Sequence, residues 1–380
     1  MKVVHVIAGL SVGGAELMLA KLLSVSQRAE RRDEVISLTD IGPVGERIRQ
    51  NSVPVRALGM RRGRAGLFGL IRLVRWIRRA QPDLVQTWMY HADLLGGVAA
   101  TLAGRIPVVW GIRNGVLEPR GNKRTTIWTA KASARLSHWV PQRIVCCSES
   151  ARRFHESMGY QADKMSVIPN GFDVSTFKPD PEARARVRQD LRVPQDAVLI
   201  GLVARWDPQK DHENFVLAAG LLASRQPKVH FLLCGDGITP DNQQLAGWIA
   251  AGGITDRCHL LGRRMDVHRV NAALDIATSS SYAEAFPNVL GEAMACGVPC
   301  VATEVGDSAS IVADSGRLVS PRDPRALMVA WEEMIQIGPE GRVRLGRLAR
   351  QWVKENFDLP AVAARYSRLY ESVLQVTARS

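Results

Sequence analysis

The chain has 380 residues, 46% of them hydrophobic, which is ordinary for a globular protein and long enough for two domains with separate cores. No apolar run approaches the roughly eighteen residues of a membrane-spanning helix, and six cysteines in this length, including adjacent Cys146 and Cys147, make no disulfide framework and point to a reducing cytosol. The net charge of +13 is unevenly spread, and nucleic acid is its weaker explanation because no recognition motif accompanies the basic residues.

Met1 to Gly9 reads as a short strand, Val3–Ile7, entering a glycine loop; a signal peptide would need a longer apolar stretch and a cleavage site. In that loop Gly13 and Gly14 allow a tight turn and bring backbone N–H groups close to an anion, although a plain turn would use them equally. The run matches neither the dinucleotide fingerprint nor a Walker loop. A helix continues from Glu16 to Leu23, and Val35–Leu38 is the next strand. From Arg47 to Arg79 there are ten arginines and no acidic residue. Within that stretch the spacing of Leu67, Leu70, Ile71, Val74 and Ile77 predicts a helix with those residues toward the core and Trp76 on the opposite side, near Arg72 and Arg79. Asp83–Gln86 is a strand. His91 follows it and is a candidate for facing a cleft, or else a helix-start histidine satisfied by backbone. A helix over about 92–102, strands at Pro107–Gly111 and Ile144–Cys147, and a helix at Ser148–Met158 complete a βαβ series, hence a mostly parallel sheet. Arg113, Arg120, Lys123, Arg124, Lys131 and Arg135 extend the basic content, with Trp128 and Trp139 interleaved. Two basic, tryptophan-bearing stretches in one half favour an anionic lipid surface or a lipid-phosphate acceptor over a merely solvated face.

Ile168-Pro169-Asn170-Gly171 reads as a hinge, and Lys178 to Pro194 as a connecting helix. A second βα series begins at Val198–Val203. Arg205 and Lys210 project from the loop after it, at the carboxyl end of a strand, where doubly wound sheets bind ligands. A guanidinium fork and a point charge together suit a diphosphate. His230–Cys234 leads into Gly235-Asp236-Gly237, His259–Leu261 into Gly262, and Ile276–Ser279 into Glu284-Ala-Phe-Pro287-Asn288-Val289-Leu290-Gly-Glu292. Pro287 suits a first turn, so a helix starts near Pro287 or Asn288 and carries Glu292 inward while Glu284 stays on the loop. A helix N-terminus suits phosphate, and carboxylates suit sugar hydroxyls, so the motif fits a nucleotide-sugar. The plain alternative is a capping Glu284 and a surface Glu292. Val301–Thr303 is a further strand, and residues 340–380 hold two helices, the last about Ala361–Val376. No Cys/His cluster has zinc spacing, and no Asp-x-Asp occurs, which argues against metal-held diphosphate.

Arg205-x4-Lys210 with Glu284-x7-Glu292, between two βα halves, resembles the family 4 retaining glycosyltransferases of group 1. Gly13-Gly14-Ala-Glu16, His91, Ile168 to Asp173, Gly235-Asp236-Gly237 and Gly297-Val298-Pro299 extend the likeness over almost the whole chain. Ala285, where many members carry glycine, is a departure of little expected consequence. The resemblance implies an α/β GT-B fold: two Rossmann-like βαβ domains facing a cleft, residues 1–175 for the acceptor and 176–360 for the nucleotide-sugar. A C-terminal helix, 361–380, would cross back onto the first domain. It implies that Glu292 binds the ribose, Glu284 the donor sugar, and Arg205 and Lys210 the diphosphate. Asn288, Val289, Leu290, Gly13 and Gly14 would add backbone donors, Gly235 would lie in the donor site, and His91 would lie at the donor sugar.

The chain is thus expected to be a retaining glycosyltransferase without cofactor or metal, moving a hexose or N-acetylhexosamine from a UDP-sugar. The expected acceptor is a lipid-linked saccharide in surface polysaccharide or glycolipid assembly. The expected location is cytoplasmic, peripheral at the inner face of the membrane, with no nucleic-acid partner. The rivals are a nucleotide-sugar 2-epimerase, a transferase for a small soluble acceptor, a non-catalytic nucleotide-sugar-binding subunit and, more distantly, a hydride-transfer Rossmann enzyme.

Overall fold

The computed structural model describes residues 1–26, 31–60, 66–115, 117 and 123–377. The chain divides into two compact units, Met1–Gly171 with Leu359–Ser380, and Phe172–Asp358.

In the first unit, strands β1 (Lys2–Ile7), β2 (Arg32–Ser37), β3 (Val55–Ala57), β4 (Leu84–Trp88), β5 (Val108–Ile112), β6 (Arg143–Cys146) and β7 (Met165–Val167) form a parallel sheet in the order β3-β2-β1-β4-β5-β6-β7. The runs Val-Val-His-Val-Ile and Val-Val-Trp-Gly-Ile in β1 and β5 are wholly buried, as parallel strands covered on both faces must be. Helices α1 (Gly14–Ser26) and α2 (Gly42–Gln50) cover one face. Helices α3 (Leu67–Ala80), α4 (Tyr90–Gly104), α5 (Arg124–Leu136) and α6 (Glu149–Ser157) cover the other. Chain order reverses between β1 and β4, and Ile7 pairs with Trp88, so the loops after these strands leave the sheet at one level.

Helix α3 lies differently from its predicted placement. Leu73 and Ile77 are buried and Leu70 and Val74 half-buried, whereas Leu67 and Ile71 are exposed. Trp76 is not on the outer side. It is half-buried against the core, with the guanidiniums of Arg72 and Arg56 at 4.6 and 5.9 Å from its ring. The buried stripe is centred on positions 73 and 77, and Trp76, about 100° from Ile77, closes its edge.

In the second unit, β8 (Val198–Val203), β9 (Val229–Cys234), β10 (Cys258–Leu260), β11 (Ile276–Ser279), β12 (Cys300–Thr303) and β13 (Arg317–Val319) form a parallel sheet in the order β10-β9-β8-β11-β12-β13. The helices are α7 (Pro181–Asp190), α8 (His212–Ala223), α9 (Gln243–Ala251), α10 (Val267–Ala273), α11 (Asn288–Ala295), α12 (Ser308–Val312), α13 (Pro324–Gln336) and α14 (Gly338–Asn356). Thr278 pairs with Leu202, so β8 and β11, neighbours where chain order reverses, end side by side. The segment expected as a connector is part of this unit. Asp180 accepts from Ala183 N at 2.9 Å to start α7, and Arg184 and Arg188 bind Asp275, just before β11, at 2.8 and 3.0 Å.

The last helix, α15 (Leu359–Thr377), belongs to the first unit, where Val362, Tyr366, Tyr370 and Val373 enter the core beside α1. The junctions fall at 171/172 and 358/359, not at 175/176 and 360/361. Phe172 stacks on Phe286 and meets Phe357 edge-on, which binds it to the second unit, while Leu359 is buried in the first unit's core.

Candidate functional site

The site is built at the carboxyl ends of β8 and β11, a topological switch point. The loop after β8 carries Arg205 and Lys210. Asp207 shapes it: its carboxylate accepts from Gln209 N at 3.0 Å and from Arg205 Nη2 at 2.8 Å. Burial pushes the Asp207 carboxyl up, but the bonds from Arg205 and the Gln209 amide outweigh it and hold the group below its ordinary value. Trp206 N donates to Asp236 O at 2.7 Å, which ties this loop to the one after β9. There Gly235 is obligatory, since a Cβ would lie 2.0 Å from Ala204 O.

The loop after β11 is zipped to the same segment. Tyr282 N donates to Gln209 O at 3.0 Å and Ser280 Oγ to Lys210 O at 2.8 Å. Across this seam Lys210 Nζ forms an ion pair with Glu284 Oε1, which also accepts from Ser281 Oγ at 2.9 Å. The pair is mostly buried, with side chains 21% and 14% exposed. Arg205, at 59%, stands in solvent. Gly306, at φ +56°, lies so close beneath Glu284 that a Cβ would meet its carbonyl at 2.5 Å.

Pro287 is the residue before α11 and supplies no side-chain cap, and Asn288, Val289 and Leu290 form the first turn. Leu290 N turns back to Pro287 O at 3.1 Å. Glu292 is half-buried one turn further on. The unit therefore brings Arg205, Lys210, Glu284, the Gly235 loop and the α11 N-terminus to one sheet edge. That edge can neutralise an anion with a guanidinium, an ammonium and a helix end, and can accept hydroxyl donors with two carboxylates.

Gly13, Gly14 and His91 lie in the first unit, at its own switch point between β1 and β4. Neither glycine has a positive φ. A Cβ at Gly13 would sit 2.4 Å from Glu16 Oε2, the end of a flexible side chain that can swing aside, so space does not demand glycine there. His91 is the second residue of α4, half-buried, and burial lowers its pKa.

The sequence reading missed Asp207 and Ser281. The first was legible as an acid two residues from Arg205; the second was hidden in the serine run 279–281. Among the described residues no group of three or more His, Cys, Asp or Glu is arranged to hold a metal ion.

Residues 12–176 match the family described as Glycosyltransferase Family 4, and residues 197–336 the family described as Glycosyl transferases group 1. The Bacillus subtilis protein EpsF is 24% identical, covering 93% of this chain and 91% of EpsF. An Escherichia coli UDP-Gal:alpha-D-GlcNAc-diphosphoundecaprenol alpha-1,3-galactosyltransferase is 25% identical over 64% of this chain and 63% of its own length. Anabaena HepE, solved in complex with UDP, superposes with a TM-score of 0.86 at 24% identity, covering 98% of this chain and all of HepE; its UDP-glucose complex gives 0.83 at 23%. The likeness to HepE establishes the two-domain fold.

Proposed function

The chain belongs to the family 4, group 1 glycosyltransferases, and from that premise we propose that it moves a hexose or N-acetylhexosamine from a UDP-sugar to a lipid-linked saccharide, with retention and without a metal ion. The enzyme class and the GT-B fold of two Rossmann-like domains are as the motifs implied. The donor reading draws support from HepE, solved with UDP and UDP-glucose, and from the relative named for UDP-Gal. That relative's diphosphoundecaprenol acceptor supports the lipid-linked reading.

The observation that carries the proposal is the Lys210–Glu284 pair beside Arg205 at the N-terminus of α11. In the proposed reaction the bond from the sugar C1 to the diphosphate oxygen breaks, and C1 bonds to the acceptor oxygen on the same face. The acceptor's proton passes to an oxygen of the departing diphosphate. Arg205 and Lys210 stabilise the charge that develops there, and the N–H groups of Asn288 and Val289 add to them, while that of Leu290, expected as a third donor, is held by Pro287 O. Glu284 holds donor-sugar hydroxyls and Glu292 the ribose hydroxyls, so neither is a nucleophile. His91, Gly13, Gly14 and Gly235 complete the site as contacts to the donor and its backbone cradle.

The protein works at the inner face of the cytoplasmic membrane, in surface polysaccharide or glycolipid assembly. No described helix is long and apolar enough to cross a membrane. A panel of nucleotide-sugars, scored for nucleoside diphosphate release, tests the reading. One UDP-sugar is expected to turn over, and Lys210→Ala and Glu284→Ala are each expected to abolish most of that turnover. Undiminished release in both variants would sink the site assignment.

A further inference from the structure

Helices α3, α4 and α5 lie side by side on one face of the first unit's sheet. On α5 the exposed positions Arg124, Trp128, Lys131, Arg135 and Trp139, just past its end, recur every three or four residues and form one stripe of three cations interleaved with two indoles. Trp128 is 72% exposed and Trp139 77%. On α3 the outward arc carries Phe68, 90% exposed, with Ile71 and then Arg72, Arg75 and Arg79. Leu102, near the end of α4, adds a further exposed apolar side chain between them. The only acid on these three helices, Asp93, is fully buried.

We infer that this face docks on an anionic lipid bilayer, with Phe68, Ile71, Trp128 and Trp139 entering the headgroup–acyl boundary and the arginines and Lys131 against lipid phosphates. Several large apolar side chains left in water on adjacent helices mark an interaction surface. Their interleaving with cations alone matches an amphipathic interfacial surface, whose apolar residues bury shallowly while basic ones meet anionic lipid. Of the three tryptophans in the sequence reading, Trp128 and Trp139 belong to this surface and Trp76 does not, because it closes the core edge under Arg72. The inference deepens the lipid-linked acceptor reading and its biological meaning rests on it, but the surface is testable without donor or acceptor.

The experiment is co-sedimentation of the full chain with phosphatidylcholine vesicles containing or lacking phosphatidylglycerol, in low and high salt. Binding is expected to require phosphatidylglycerol and to fall with salt. Phe68→Ser with Trp128→Ser is expected to weaken it about tenfold or more, and Lys131→Glu with Arg135→Glu by a similar factor. A bromine-labelled acyl chain is expected to quench tryptophan emission in the wild type and less in Trp128→Phe. Nucleoside diphosphate release in solution, unchanged in these variants, reports that they fold, and its absence in every protein would overturn the transferase reading while leaving the docking result intact. Equal binding to both vesicle types, undiminished binding in both double variants, or retention on a nucleic-acid or protein partner with none on vesicles would overturn the inference.

Discussion

Substituting Glu284 by glutamine should separate two effects with opposite signs. In the unliganded site Glu284 is the partner of Lys210, and Ser281 donates to the same oxygen. A diphosphate entering the site must take the Lys210 ammonium from that carboxylate. The pair is mostly but not fully shielded, so its net worth is about 1 kcal/mol, near the upper end for exposed pairs, rather than the larger Coulomb energy of a dry site. Glu284→Gln keeps the size and the Ser281 contact but removes the competing charge, so UDP alone should bind about fivefold tighter. Turnover should move the other way. If the carboxylate holds donor-sugar hydroxyls, its charge-assisted bonds contribute about 1.5–3 kcal/mol, a loss of roughly 10–100-fold in kcat/KM. Lys210→Ala has no such split: UDP affinity and turnover should both fall, the former by roughly 10–100-fold. Isothermal titration with UDP and a coupled assay of UDP release measure the two quantities. UDP binding weakened by Glu284→Gln would refute the competition, and kcat/KM within threefold of wild type would refute the sugar contact.

Glu292→Ala should weaken UDP and UDP-sugar alike, by about tenfold or more, with kcat little changed, because a ribose contact is made equally in the ground and transition states; steady-state kinetics with a UDP titration check this. Asp275→Ala should destabilise the second unit by about 3–5 kcal/mol in urea unfolding, since it strands the fully buried Arg188 guanidinium and frees Leu199 N, which donates to the carboxylate at 2.8 Å; a loss under about 1 kcal/mol would show that water reaches the arginine. Burial pushes Asp93 up to about 7, against bonds from Thr87 and the Gly111 amide, and its Oδ2 has no partner among the described residues. The folded state therefore holds a proton that the unfolded chain loses above its ordinary carboxyl range. Stability from this group is fully present below about pH 4 and is lost as pH rises toward 7. Asp93→Asn should remove a slope of about 1.4 kcal/mol per pH unit across that window, read from denaturation midpoints of the two proteins.

The parallel sheets were legible because their strands are near-continuous apolar runs between turn residues; Ile276–Ser279 coincides with β11, and Val198–Val203 with β8. The three-residue edge strands β3, β7 and β13 were not, because so few residues carry no periodicity, even though each pairs with the strand just before it in the chain. Helix boundaries held where a local device sets them, as Pro287 does for α11. Residues 178–194 do hold the expected helix, α7, but what anchors it was not legible. Arg188 is buried within it because Asp275, far along the chain, pairs with its guanidinium.

The functional site shows the same division between local and distant information. Residue types announced a diphosphate and sugar hydroxyls, but nothing local tells that Lys210 and Glu284 face each other across a seam. That fact follows from strand order: β8 and β11 are neighbours only because the sheet reverses between them, and Thr278 pairing with Leu202 brings their loops level. On the proposed reading, the pairing lets the diphosphate site stay compact when empty, since its cation is held by the carboxylate assigned to the donor sugar. The basic face shows what composition alone misassigns. An arginine-rich helix with one tryptophan pointed to an outward Trp76, whereas packing turned that indole to the core edge and left Phe68 and Ile71 outside with the arginines. Which apolar residue on such a helix faces water is decided by where the sheet takes its stripe, here positions 73 and 77.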